Sequence, residues 1–287
     1  MAAIAAGLCS SAVTTVQAEL IYAVDANNNL LSFDSATPGT VSSIAINNTG
    51  GAEIRGLDWR AANGGLYGLG ANSVLYQIAP NTGFASPVGG TFSTLLSGQN
   101  FGFDVNPVAD RIRVVSEADQ NMRINPITGA IAAVDSNLSY GAGDPFFGVS
   151  PFVTGLAYNN NFAGALSTTL YAIDSLQNTL ATIANPNSGV LSTIGLLSFD
   201  VSRLNGFDIS PSSGTAFVGS PSTSGGIAAN LWTVNLATGQ GTLVGKIGTV
   251  DEDFILRGLT AVPEPGTASL LGLGTLAMMV FKRNRRG

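Results

Sequence analysis

The sequence predicts an all-β protein, a five-bladed β-propeller whose two ends share one blade, followed by a C-terminal transmembrane helix. Three observations predict the propeller. The chain is rich in glycine, 36 of 287 residues, and in asparagine, both of which permit the positive φ of tight turns. A unit of four short strands recurs with a period of about 50 residues. The first and last units are incomplete, and each has the strands that the other lacks.

The clearest repeat unit spans residues 55–90 and contains the predicted strands GLDW, GLYGL, VLYQIA and FASPVG. Turn residues such as Asn-Gly and Asn-Thr-Gly separate these strands. The same order recurs over residues 102–135, 155–195 and 206–248. The units open on Gly56, Gly102, Gly155 and Gly206, with spacings of 46, 53 and 51 residues. This long period favours a propeller over a β-sandwich, which is also rich in short strands.

The two ends of the repeat region complete one another. Residues 257–262 (RGLTAV) contain a first strand, and Gly258 lies 52 residues after Gly206. Residues 20–46 contain a second, third and fourth strand with no first strand before them. Together they predict a fifth, composite blade that closes the ring.

The composition restricts the chemistry of the protein. The chain has no histidine, and Cys9 is its only cysteine, which excludes Ser-His-Asp catalysis, Cys-His catalysis and histidine-ligated metals. Four of the twelve basic residues lie within residues 282–287, so the remainder is clearly acidic. Nucleic acid is therefore not an expected partner, because phosphate neutralisation needs basic patches. We expect no cofactor, no metal and no enzymatic activity.

The N-terminal segment predicts export. Small and apolar residues lead to Val16-Gln17-Ala18, which is similar to the A-x-A pattern of signal peptidase sites. Residues 1–18 are therefore a predicted signal peptide. Cleavage after Ala18 by signal peptidase leaves Glu19 as the first residue of the mature chain.

The C-terminal segment predicts a membrane helix. Residues 266–281 are sixteen uncharged residues, which span about 24 Å as a helix, slightly less than a hydrocarbon core. A basic cluster follows and places that end in the cytoplasm, with the body on the opposite side. The cluster consists of Lys282, Arg283, Arg285 and Arg286.

The box Pro263-Glu264-Pro265, the apolar segment and the basic end together resemble the PEP-CTERM sorting signal. This resemblance implies processing by an exosortase, a membrane cysteine transpeptidase of Gram-negative bacteria. It also implies inner-membrane anchoring before processing, then the cell surface or the biofilm matrix of an exopolysaccharide-producing bacterium. The predicted domains are a signal peptide (1–18), a propeller (19–262) and a sorting signal (263–287).

The body resembles domain-of-unknown-function family 4394. The resemblance lies in two stretches, NFGFDVNPVADRIRVVSEADQNMRINPITG and TGLAYNNNFAGALSTTLYAID. It implies a propeller-like repeat and no known activity.

Three aspartates recur two residues after the opening glycines, namely Asp58, Asp104 and Asp208. Ala157 and Thr260 occupy this position in the other blades. We favour a structural role in which each aspartate accepts backbone N–H groups. In the alternative, they gather at the central channel as a cation ring or as the carboxylates of a glycoside hydrolase or lyase acting on matrix polysaccharide.

The second repeat unit differs from the others in its basic residues. The second strand has an aromatic residue at one position in the other units (Tyr22, Tyr67, Tyr171 and Phe217). Arg113 stands at this position, Arg111 lies on the same face, and Arg123 aligns with Tyr76 and Trp232 on the third strand.

These three arginines predict a ligand patch for an acidic exopolysaccharide, because guanidinium forks match carboxylates. The structural alternative is internal ion pairing with Asp110, Glu117 and Asp119. A long connection follows at 137–152, where Phe146 and Phe147 are candidates for an exposed contact or a plug between blades.

Overall fold

The structure is a computed structural model that describes residues 18–221 and 227–263. Within these residues the regular structure consists of β-strands in five sheets. The first strands of the sheets contact one another in a closed ring, and each sheet extends outward from this ring. The chain is therefore an all-β, five-bladed propeller, as the repeats predict.

The strands follow the predicted repeats closely. The N-terminal strands are β1 (Leu20–Asp25), β2 (Asn29–Asp34) and β3 (Ser42–Ala45). Blade one contains β4 (Ile54–Arg60), β5 (Gly65–Gly70), β6 (Val74–Ile78) and β7 (Ala85–Val88). Blade two contains β8 (Phe101–Asn106), β9 (Arg111–Ser116), β10 (Asn121–Ile124) and β11 (Ile131–Val134).

The remaining strands complete the ring. The short β12 (Ser139–Tyr140) precedes blade three, which contains β13 (Val153–Tyr158), β14 (Leu170–Asp174), β15 (Thr179–Thr182) and β16 (Val190–Leu196). Blade four contains β17 (Gly206–Ile209), β18 (Ala216–Ser220), β19 (Asn230–Val234) and β20 (Gly241–Lys246). The last strand is β21 (Leu256–Val262). The sequence did not predict β12, which pairs in parallel with β16.

The closing blade has the order β21-β1-β2-β3, so the last strand of the chain is its innermost strand. β21 and β1 pair antiparallel, with Leu20 opposite Val262 and Tyr22 opposite Thr260. The predicted closure between residues 20–46 and 257–262 is confirmed.

The repeated glycines allow the inner strands to approach one another. A Cβ atom on Gly56 would lie 2.5 Å from the Cβ of Phe103 in the next blade. A Cβ on Gly102 would lie 2.7 Å from Cγ of Leu156, and one on Gly258 would lie 2.8 Å from the backbone nitrogen of Leu57. These glycines therefore recur because a larger residue would force the blades apart.

The core consists of apolar clusters between neighbouring blades. In the cluster between blades one and two, Tyr67 and Leu69 of one sheet pack with Phe103, Ile112 and Val114 of the next. Each fully buried side chain of this size contributes about 1.5–3 kcal/mol through removal of apolar surface from water. Blade-on-blade packing therefore fixes the orientation of residues on the second and third strands.

The strand register corrects one alignment. Arg113 lies opposite Arg123, whereas Tyr67 lies opposite Gln77 and Phe217 opposite Thr233. The prediction that Tyr76 and Trp232 align with Arg123 is therefore wrong by one residue. Because side chains alternate between the faces of a strand, this shift places Tyr76 and Trp232 on the other face of their sheets.

Several predicted features lie outside the described residues, namely most of the signal peptide, the residues of the PEP box after Pro263, the 266–281 segment and the basic cluster. No helix within residues 18–221 and 227–263 is long and apolar enough to cross a membrane.

Candidate functional site

Three aspartates of the inner strands meet on the axis of the propeller. Asp58, Asp104 and Asp208 lie on β4, β8 and β17, and carboxylate oxygens from the three lie within 4.8 Å of one another. Each side chain is at most 1% exposed. We call these residues the axial acid cluster.

Two members of the cluster connect adjacent blades through backbone hydrogen bonds. Oδ2 of Asp58 accepts the N–H of Val105 at 2.8 Å, and Oδ2 of Asp208 accepts the N–H of Ala261 at 2.8 Å. Asp104 differs, because neither of its carboxyl oxygens has a hydrogen-bond partner among the described residues. The geometry of Asp58 and Asp208 agrees with the structural role that the sequence favoured, whereas the Tyr158 amide of the next blade has only a weak effect on Asp104.

Thr260 occupies the equivalent position in the composite blade and contacts two of the acids. Its Oγ1 lies 2.9 Å from Oδ1 of Asp58 and 2.9 Å from Oδ2 of Asp208, and it accepts the N–H of Trp59 at 3.2 Å. A hydroxyl has one hydrogen to donate. Thr260 can therefore donate to only one of the two carboxyls at a time. When nothing else lies between them, the second contact is a hydrogen bond in which the other carboxyl is protonated and donates to Oγ1.

The buried position makes ionisation of these acids unfavourable. Burial raises the pKa of Asp58 to about 7, against the opposing hydrogen bond from Val105. Burial raises the pKa of Asp104 well above its ordinary value, and repulsion from Asp58 and Asp208 raises it further, against a weaker effect of the Tyr158 amide. Burial and, to a smaller extent, repulsion from Asp58 also raise the pKa of Asp208 well above its ordinary value. No positively charged group among the described residues therefore offsets the burial of these three carboxyls.

A second cluster of charge lies between blades two and three. Arg113 is 3% exposed, and its guanidinium donates to Asn121, Asp135, Asn187, the carbonyl of Pro186 and the hydroxyl of Tyr158. The partners belong to two blades. Arg113 therefore connects blade two to the β15–β16 turn of blade three.

The other two arginines are more accessible. Arg123 forms a bidentate pair with Asp135, with distances of 2.8 and 2.9 Å. Arg111 donates to the carbonyl of Asp110, and it forms no ion pair with any described residue. The structure thus brings the three predicted arginines together, but neighbouring carboxylates neutralise their positive charges to different extents.

These arginines line a cavity of about 220 Å³, which we call the arginine cleft. Its lining consists of Asn106, Ala109, Arg111, Arg113, Arg123, Tyr158, Asn185, Pro186 and Asn187. Asp135 is the carboxylate that pairs with two of the three arginines. The cleft therefore has an excess of positive charge in an acidic protein.

A larger groove of about 530 Å³ adjoins the arginine cleft through Asn185, which lines both. One wall of this blade-three groove is the long connection at residues 141–145, and the other contains residues 188–193. Asp144 holds the walls together, because its carboxylate accepts both the N–H and the hydroxyl of Thr193. Phe146 of this connection packs near Tyr140, whereas Phe147 is exposed.

The acids that the sequence suggested as partners of the arginines pair elsewhere. Asp110 forms a bidentate pair with Arg60 of blade one, Glu117 accepts the N–H groups of Gln99 and Asn100, and Asp119 accepts the hydroxyl of Ser150. Asp135 provides the internal pairing instead.

Sequence reasoning missed a second basic group, in which Arg55, Arg203 and Arg257 line one small cavity. Arg55 and Arg257 precede the inner-strand glycines of their blades and share Glu53, while Arg203 lies over the ring of Phe152 at 5.0 Å. The repeated Arg-Gly pair at 55–56 and 257–258 was the available signal.

Residues 29–258 match the family described as Domain of unknown function (DUF4394). The chain belongs to this family. Residues 261–286 match the PEP-CTERM protein-sorting motif, which implies export and exosortase sorting to the cell surface in Gram-negative bacteria. No curated protein matches the chain.

Similar solved structures include a protein of unknown function from Bacteroides thetaiotaomicron, with 12% identity over 84% of this chain and 62% of that chain and a TM-score of 0.49. A chain of a nidogen–laminin complex has 11% identity over 86% of this chain and 98% of that chain, with a TM-score of 0.48. The glutaminyl cyclase of Myxococcus xanthus has 16% identity over 70% of this chain and 90% of that chain, with a TM-score of 0.39. The chain spans less than two thirds of the Bacteroides protein.

Proposed function

We propose that the protein is a non-catalytic component of the cell surface or extracellular matrix that binds an acidic polysaccharide in the arginine cleft. The observation that carries this proposal is the excess positive charge of the cleft. Arg111 has no carboxylate partner among the described residues, and Arg123 and Arg113 share the single carboxylate of Asp135. An anionic ligand would supply the missing negative charge.

The size of the site supports a polymer with one acidic sugar at a time in the cleft. The cleft itself, about 220 Å³, is smaller than a typical drug-sized pocket and suits a single charged ring or group. The adjoining blade-three groove of about 530 Å³ offers space for neighbouring sugars of the same chain. Exposed Phe147 is an apolar side chain on the same long connection, and sugar rings have an apolar face to pack on it.

The route to the surface supports the same function. We propose that signal peptidase removes residues 1–18 and that a membrane helix at 266–281 holds the chain in the inner membrane until exosortase processing. An exopolysaccharide of the producing cell is then the acidic polymer that the protein meets.

The glycoside hydrolase alternative has weaker support. Glycosidases of both stereochemical classes need carboxyl groups about 5–9.5 Å apart on either side of an accessible sugar. The carboxylate oxygens of the axial acid cluster are within 4.8 Å, and at most 1% of each side chain is exposed. A sugar would have no route to these groups without separation of the blades.

The test is binding of the purified protein to polygalacturonate by titration calorimetry. We expect the variant with Arg111→Gln and Arg123→Gln to bind about tenfold more weakly or worse, because each charged hydrogen bond contributes about 1.5–3 kcal/mol. Added salt should weaken binding of the parent protein. Arg113 is left intact because it connects two blades.

The matched control is Lys246→Gln, which removes one positive charge from blade four, where Lys246 pairs with Asp253. It should bind polygalacturonate as the parent does. Unchanged affinity in the double variant, with a thermal unfolding profile like that of the parent, would refute the cleft as the binding site. Release of reducing ends from the polymer would favour the hydrolase alternative.

A further inference from the structure

Among the described residues, the axial acid cluster has no positive partner. None of the ion pairs formed within residues 18–221 and 227–263 includes Asp58, Asp104 or Asp208. Buried charges in proteins are normally paired, bound to a metal or neutralised, because an isolated charge is very costly in an apolar interior. The negative charge of the cluster therefore has to be balanced by protons or by a ligand that these residues do not provide.

The surroundings of Asp104 are a second indication of a ligand, separate from the fact that three acids lie together. Its side chain is 0% exposed, and both of its carboxyl oxygens lack a hydrogen-bond partner. One of its oxygens belongs to the set that lies within 4.8 Å of the other two carboxylates. Asp58 and Asp208 each accept a backbone N–H. The Tyr158 amide has only a weak effect on Asp104, and neither Asp104 oxygen has a hydrogen-bond partner among the described residues, so the oxygen that lies in the cluster is available to a ligand.

A small cavity lies on the axis, on the N-terminal side of the aspartates along β4, β8 and β17. Its volume is about 10 Å³, and its lining includes Gly56, Gly102, Gly155, Gly206 and Gly258 but not the aspartates themselves. This volume corresponds to about one water-sized sphere. The absence of Cβ atoms at these positions keeps it open.

We propose that Asp58, Asp104 and Asp208 bind a calcium ion on the propeller axis, where the ion holds blades one, two and four together. The donor set consists of oxygen atoms, which hard cations such as Ca²⁺ and Mg²⁺ prefer. Ca²⁺ is bound at about 2.3–2.6 Å, so no two ligand oxygens of one ion are farther apart than about 4.6–5.2 Å, the separation on opposite sides of the ion. The three carboxylate oxygens of the cluster meet this condition, because they all lie within 4.8 Å of one another.

The location of the protein favours calcium over magnesium. Extracellular calcium modules bind with Kd values of about 10⁻⁴–10⁻³ M, which suits an exported protein. Mg²⁺ requires nearly ideal octahedral geometry and retains several waters, for which three carboxylates that are at most 1% exposed leave little space. Thr260, through its contacts to Asp58 and Asp208, holds two of the ligands in position.

The test uses the purified protein, stripped with EGTA and then titrated with CaCl₂ or MgCl₂. We expect one Ca²⁺ per chain by calorimetry. We also expect an increase in Tm of about 3–10 °C in 10 mM CaCl₂, from a Kd near that of extracellular modules. Asp104→Asn should weaken Ca²⁺ binding at least about tenfold and abolish most of the Tm increase.

The control variant is Asp174→Asn. Asp174 is equally buried, but its carboxylate is fully satisfied by Tyr140 and three backbone N–H groups. This variant should lose stability and retain the calcium-dependent increase in Tm.

The proposal is overturned if the parent binds no Ca²⁺ and its Tm is equal in EGTA and CaCl₂, since shared protons would then balance the cluster. It is also overturned if MgCl₂ raises Tm as much as CaCl₂, or if Asp104→Asn binds Ca²⁺ as tightly as the parent. The calorimetric result for the parent decides the question even if the Asp104→Asn variant does not fold.

Discussion

Arg113 of the arginine cleft and Asp104 of the axial acid cluster are both buried charges beside two charges of the same sign, yet their surroundings differ. The guanidinium of Arg113 donates to a carboxylate, two amide oxygens, a carbonyl and a hydroxyl. The carboxyl oxygens of Asp104 have no hydrogen-bond partner among the described residues, and the Tyr158 amide has only a weak effect on this carboxyl. The comparison teaches that a buried charge belongs to the fold when its partners are built in, and that it points to a ligand when they are missing.

The strongest test of this comparison is the removal of the best-satisfied charge. Arg113→Met should lower the free energy of unfolding by about 3–5 kcal/mol, because it leaves the amide oxygens of Asn121 and Asn187 without this donor and Asp135 with Arg123 alone. Arg111→Met, which removes a charge from the same cleft, should change it by less than about 0.5 kcal/mol. Urea denaturation of both variants measures the difference. Equal stability of the two would show that Arg113 does not hold the blades together.

The acid cluster should respond in the opposite direction. In EGTA, Asp104→Asn should be about 1–2 kcal/mol more stable than the parent, because it removes a repelled carboxyl and its amide can donate to a neighbouring acid. Thermal and urea unfolding in EGTA measure this gain. A loss of stability comparable to that of Asp174→Asn would mean that Asp104 is satisfied in the metal-free protein.

The smallest effect concerns Arg60 and Asp110, a matched pair that connects blades one and two. The hydrogen bond from Arg60 holds the pKa of Asp110 below its usual value of about 4. The stabilisation is therefore fully present above about pH 4 and is lost as the pH falls through the lower folded-state pKa. We expect Asp110→Asn to cost about 1 kcal/mol or less at pH 7, because Asp110 is 35% exposed to solvent.

Urea midpoints of the parent and Asp110→Asn between pH 3 and pH 7 measure this dependence. The two midpoints should converge toward the acid end. A gap that widens as the pH falls would contradict the assigned direction of the pKa shift.

The ring could be predicted from sequence because its signals are local and repeated. The inner-strand glycines mark the places where the backbones of neighbouring blades approach, and every blade has one. The incomplete units at residues 20–46 and 257–262 then indicated the closure. Turn residues with positive φ, such as Asn28 and Gly64, fixed the boundaries between strands.

The partners of the arginines could not be predicted, because they depend on distances across the fold. Asp135 follows the outermost strand of blade two, and Asn187 is 74 residues from Arg113. The misalignment of Tyr76 and Trp232 has a similar origin. The turn between the second and third strands spans 71–73 in blade one and 117–120 in blade two, and in blade four β18 ends at Ser220 and β19 begins at Asn230. Because these separations differ, counting along the sequence loses the register.

The recurrence of the aspartates after the glycines suggested their convergence at the channel only as the alternative to a structural role, and the lack of a hydrogen-bond partner for Asp104 was not predicted. Two of the three accept amides from the neighbouring blade, and the repeat gave no reason to expect that the third would not.

The composite blade also determines how the molecule responds to mechanical force. β21 ends at Val262, beside Leu20 of β1, and the sorting motif begins within the same strand at residue 261. A pull on the chain beyond residue 263 therefore acts on the end of an antiparallel pair, where hydrogen bonds break one after another, as in unzipping. Because β21 is also an inner strand, its removal would open the ring at once, so tension on the C-terminal segment and integrity of the propeller are directly coupled.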